Sequence, residues 1–197
     1  NNHTMDFSYS GLNSTIKNLK ERNMIYAGAG SSLYEASMPA FLNTQGGRVA
    51  LLSQASLYNS QRGARAGDPH DAFPARPGLN LLRYNVEYIV TEEQMNVLRD
   101  VVTKTDMDAD DALGIAQGFV QSSPDDILDF DGVKLRLGNS NGRMTYPDER
   151  DMLRMERHIK AALMNSDYAI VSIHSHQMKG RNENEPDFFL EEYAHRC

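Results

Sequence analysis

Hydrophobic positions along this chain change period several times, and each change marks an element. Between Tyr9 and Asn23, Leu12, Ile16 and Leu19 recur at helical spacing, which predicts an amphipathic helix with Ser10 capping its start. Met24-Ile25-Tyr26-Ala27 predicts a short strand, and Gly28 and Gly30 read as turn glycines before a brief helix from Leu33 to Ser37. A dinucleotide loop does not fit there, because Leu33 stands where a third glycine would let helix and strand close. Gly46-Gly47 separates a polar stretch from Arg48 to Ser53, a buried strand.

Periodicity stops from Leu57 to Arg83, a long irregular loop holding Arg62, Arg65, His70, Arg76 and Arg83. It returns with Met95, Leu98, Val101 and Val102 in a helix from Glu92 to Lys104, then with Leu113, Ile115 and Ala116 in a second helix between Asp108 and Phe119. Ile127–Phe130 and Val133–Leu137 alternate with period two around Asp131-Gly132, which predicts a hairpin. Pro147 opens a helix with Met152, Met155, Ile159 and Leu163 on one face. The run from Asp167 to Ile173 predicts a parallel strand covered on both faces and ending at His174, and Phe189, Leu190 and Tyr193 mark a last helix between Pro186 and Cys197. These elements make an α/β chain, expected as one domain over 1–197 with an irregular loop at 57–83 and a helical and hairpin insertion at about 91–145.

Composition narrows the classes. With 197 residues and 40% hydrophobic content the chain can bury a sizeable core. A net charge of −7 without a long basic run argues against a nucleic-acid partner. The single cysteine, Cys197, rules out a disulfide framework within the chain. The chain begins without Met and is expected to be a piece of a longer protein.

Two stretches carry candidate chemistry. At Asn2-His3, an amide oxygen can ligate a cation while the adjacent imidazole protonates a leaving group. At the other end, His174-Ser175-His176 follows a strand, and ligands of open α/β sheets sit beyond the carboxyl ends of strands. His176 reads either as a ligand or as a supporting surface group. In the central loop the Pro77-Gly78 turn is expected to let Arg76, Asn80 and Arg83 converge on an anion, although arginines in such loops also make ordinary surface pairs.

Taken in order, Asn1-Asn2-His3-Thr4-Met5-Asp6 with Gly11-Leu12, then Tyr26–Gly30, Gly47–Ser53, Arg76–Asn80 and Val171–His174, resemble the CapA (PgsA) poly-γ-glutamate capsule-synthesis proteins over most of the chain. That resemblance implies a metallophosphoesterase-like fold, a β-sandwich flanked by helices in four α/β/β/α layers, here lacking both ends. It implies Asn2 and His174 as metal ligands, His3 as the catalytic acid or charge stabiliser, and Asp6 as its orienting partner. His176 is a further candidate ligand, because His174-Ser175-His176-Gln177 departs from the family form with Trp and Gly after the His; mixed nitrogen and oxygen ligation admits divalent manganese, iron or zinc. The family's early Gly-Asp motif is expected upstream of Asn1, and its late Gly-His-x-Pro-His motif beyond Cys197. The implied function is metal-dependent hydrolysis at a phosphoryl or amide centre of an anionic polymer or phosphorylated substrate, beside capsule-synthesis membrane proteins and outside the cytoplasm. The alternative is a non-catalytic factor that binds polyglutamate for export or retention.

Overall fold

The computed structural model describes residues 2–56 and 63–197. A 3-10 turn at Asn2–Met5 leads into α1 (Ser8–Glu21), β1 (Ala29–Gly30), α2 (Leu33–Ser37), β2 (Ala40–Thr44), β3 (Gly47–Ala55) and β4 (Gly78–Leu79). There follow β5 (Tyr84–Val90), α3 (Glu92–Lys104), α4 (Ala109–Ala116), β6 (Ile127–Phe130), β7 (Val133–Leu137) and β8 (Gly142–Pro147). The chain closes with α5 (Glu149–Leu163), β9 (Tyr168–His174), β10 (Met178–Lys179), β11 (Asn182–Pro186) and α6 (Phe188–Arg196). The class is mixed α/β, in keeping with a metallophosphoesterase-like fold. Two compact units form, one from 1–84 with 147–197 and one from 85–146.

In the first unit, β3 is the middle strand of a three-stranded sheet, antiparallel to β2 and parallel to β9. The parallel register runs from Val49 opposite Tyr168 to Ala55 opposite His174, so the ends of β3 and β9 are level. Helix α5 packs on this sheet through Met152, Met155, Ile159 and Ala162, all buried. The helical repeat chooses Ala162 rather than Leu163, which is 55% exposed. Phe189 of α6 is fully buried and stacks on Tyr84 with ring centroids 4.4 Å apart. Such a pair adds about 0.5–1.5 kcal/mol beyond its burial.

Several local expectations need correction. Ser10 does not cap α1; it lies inside the helix, where its hydroxyl donates to the Phe7 carbonyl. Residues 24–27 form no strand. The strand comes later, at Ala29–Gly30, because it pairs antiparallel with Gly78–Leu79. A Cβ on Gly78 would lie 2.5 Å from the Ala64 carbonyl oxygen, so this glycine serves a close backbone approach rather than a Pro-Gly turn. Nor is β9 covered on both faces. It is an edge strand in the order β2-β3-β9, and its exposure alternates, with Tyr168 60% and Ile170 53% exposed. A sheet covered on one face gives this two-residue rhythm.

In the second unit, β6 and β7 form the expected hairpin, with Phe130 opposite Val133. Its turn uses left-handed Asp131 and Gly132, and the Asp129 carboxylate accepts the Gly132 amide. Helix α3 starts in a capping box, Thr91 and Gln94 exchanging side-chain and backbone hydrogen bonds. Arg136 on β7 bridges Glu87 and Asp126.

Candidate active site at the carboxyl ends of β3 and β9

The amino-terminal turn is pinned by Met5, which packs on the small cluster of Ala55, Leu79 and Leu81. Ala55 is the last residue of β3 and the register partner of His174. Burial of one methionine therefore brings the first residues of the chain to the carboxyl ends of β3 and β9. There His3 Nδ1 lies 2.7 Å from an Asp6 carboxylate oxygen. An Asp6 carboxylate can only accept, so the hydrogen bond puts a proton on Nδ1. Both side chains are at least half exposed, so the bond orients more than it stabilises.

His174 ends β9, and its carbonyl accepts the Ser56 amide at 2.8 Å. Its ring meets that of His176 edge to face, centroids 4.9 Å apart. Burial lowers the proton affinity of His174, and the neighbouring His176 and His3 imidazoles lower it further. His3 is thus within electrostatic reach of His174. The turn after β9 is set by Ser175, whose hydroxyl donates to the Gln177 side-chain oxygen at 2.7 Å and accepts its amide. His176 opens onto a cavity of about 570 Å³ shared with Glu183 and Glu185.

The structure brings His3, Asp6, His174 and His176 to one edge. Asn1, the Asn2 side chain and Arg62 lie outside the described residues. A neutral imidazole is a good donor for a borderline divalent cation, so the histidine pair fits part of a metal site. Among the described residues, however, no three His, Cys, Asp or Glu side chains gather as one donor set. The pair alone does not complete a coordination sphere.

Arg76, Asn80 and Arg83 do not converge on one open point. Arg76 is exposed and its Nε donates to the Arg65 carbonyl. Asn80 is buried, its amide nitrogen donating to the Ser53 carbonyl and its oxygen accepting from Ser37 and Arg154. Arg83 holds Asp148 and Asp151. Asp151 is fully buried, and Arg65, Arg83 and Arg154 all bond its carboxylate. The sequence carries one signal of this hub: Asp151 sits beside Met152 and Met155 on the buried stripe of α5.

Among the described residues no helix is long and apolar enough to cross a membrane. The chain matches the family described as bacterial capsule synthesis protein PGA_cap over residues 1–197. It is similar to two proteins of Sinorhizobium fredii (strain NBRC 101917 / NGR234), "Uncharacterized protein y4sH" and "Uncharacterized protein y4uA". Each is 31% identical over 191 residues, covering 95% of this chain and 38% of the relative. The chain thus spans well under half the length of the curated relatives it matches. With the match running from its first residue to its last, this chain belongs to the bacterial capsule synthesis protein family.

Proposed function

We propose that the chain supplies part of the active site of a metal-dependent hydrolase of capsule synthesis, acting at a phosphoryl or amide centre of an anionic polymer such as poly-γ-glutamate. The observation that carries this reading is the 2.7 Å bond from His3 to Asp6, set within electrostatic reach of the His174 and His176 pair. A divalent manganese, iron or zinc ion, when bound, would polarise the reacting centre and acidify a water. His174 and His176 would hold it among the described residues, and the family resemblance adds Asn2.

The rest falls to this chain's own groups. Asp6 holds the His3 ring in one tautomer and orientation. His3 then presents Nε2–H to the leaving group as it departs. Arg76, with its exposed guanidinium, attracts the anionic substrate. The proposed setting is outside the cytoplasm, beside the membrane proteins of capsule synthesis.

The test is a screen of the longer protein, with manganese, iron or zinc added, against a phosphomonoester, a phosphodiester and poly-γ-glutamate. Turnover of one of these classes is expected. Poly-γ-glutamate binding without turnover of any would replace the hydrolase with an export or retention factor.

A further inference from the structure

We propose a second ligand site in the first unit: the cavity between β2, β3, α2 and α5 binds a small anion whose carboxylate or phosphate groups pair with Arg48 and Arg157. The cavity measures about 590 Å³, within the range of small-molecule sites. It is distinct from the histidine edge. Arg48 lies near the start of β3, opposite the Asp167 end of the parallel pair, whereas His174 is level with Ala55, seven residues along the strand and roughly 20 Å away.

Three observations give the cavity its charge. The Arg48 guanidinium sits over the Phe41 ring, 4.2 Å from its centroid, and among the described residues no carboxylate forms an ion pair with it, although the Asp167 carboxylate accepts the Arg48 backbone amide at 2.7 Å. Stacking fixes the guanidinium without neutralising it. Among the described residues Arg157 donates through its Nε alone, to the Leu153 carbonyl, which leaves its terminal nitrogens for a ligand. Arg154 forms part of the wall, and its buried Nε has no hydrogen-bond partner among the described residues. That nitrogen is covered by protein, and the terminal nitrogens of Arg154 are held by Asp151, Asn80 and the Leu81 carbonyl, so Arg154 lends the cavity its charge rather than a free donor. Arg154 also belongs to the hub in which, among the described residues, Arg65, Arg83 and Arg154 pair with Asp151 and Asp148 alone, so one positive charge is left over beside the cavity.

Other groups shape the ligand. Asp68 is the acid in the wall, and its carboxylate already accepts the Tyr34 amide at 2.7 Å. The arginines outnumber it, so the site favours an anion. Tyr34 is 64% exposed and meets His158 edge on, offering an aromatic surface for a flat or apolar portion. Burial and the nearby Arg154 and Arg157 keep His158 below its ordinary proton affinity, as a positive cavity should.

Calorimetric titration at low salt, using inorganic pyrophosphate, a triglutamate peptide and neutral triglycine, tests this assignment. One or both anions should bind and triglycine should not. Arg48→Ala and Arg157→Ala should each weaken binding by about tenfold or more, the loss of one charge-assisted contact, while Arg157→Lys recovers part of it. Arg22→Ala, at an exposed site after α1, should change nothing. Unfolding curves for each variant separate lost binding from lost structure. Pyrophosphate alone would identify a phosphate ligand, and triglutamate alone a carboxylate ligand. Binding of neither anion, or equal binding in a folded Arg48→Ala, Arg157→Ala double variant, would overturn the proposal.

Discussion

Asp151→Ala is expected to cost about 3–5 kcal/mol of folding stability, the range for removing one partner from a buried ion cluster. The physical reason is the imbalance left behind. Asp151 is fully buried, and three guanidinium groups converge on its two oxygens. Without it Arg65, Arg83 and Arg154 face one another across a poorly solvated space, with only Asp148 remaining as an acid. The cost should depend on pH. Burial alone would raise the Asp151 pKa, but hydrogen bonds from Arg83 and Arg154 and their charges hold it down at about 2. The unfolded value is about 3.9, so this carboxylate contributes its stability above about pH 4 and loses it as pH falls through about 2. That window corresponds to roughly 2–3 kcal/mol. Urea unfolding of parent and variant at pH 7 and near pH 2 should show the difference shrinking in acid. A variant within 1 kcal/mol of the parent at pH 7 would contradict the hub. Arg65→Met provides the contrast: it removes surplus positive charge and should cost far less.

His3→Ala is expected to lower kcat by about 10²–10⁴, the usual contribution of a positioned general acid, with polymer binding retained. His3 is exposed, so the fold should survive its removal. Asp6→Asn should cost less: an amide can still accept from Nδ1–H. The separation is informative because a merely structural pair would affect both parameters together. Loss of binding in His3→Ala, in a parent without turnover, would favour the export or retention factor.

Parts of this architecture were legible in the amino-acid sequence because their causes are local. Met95 and Val102 mark the buried side of α3, and Asp131-Gly132 sets the turn between β6 and β7. Asn2-His3 and His174 could be picked out as chemistry, and the packing of Met5 on the cluster of Ala55, Leu79 and Leu81 holds His3 near His174. What stayed hidden depends on distant partners. Nothing near Ala29 reveals that it will pair with Leu79, so residues 24–27 looked more strand-like than the true strand. Arg83 and Asn80 resembled anion ligands until Asp151 and Arg154, some 70 positions along the chain, took up their hydrogen bonds. An arginine in a loop does not announce whether its carboxylate belongs to a substrate or to its own fold.

The central claim is that the carboxyl ends of β3 and β9 hold a divalent metal beside His3. Elemental analysis of the longer protein, together with His174→Ala and His176→Ala, tests it most directly. Stoichiometric manganese, iron or zinc in the parent, with marked loss in both variants and normal unfolding curves, is the predicted result. A parent that takes up none of the three metals when each is supplied, or variants that retain metal in full, would contradict it.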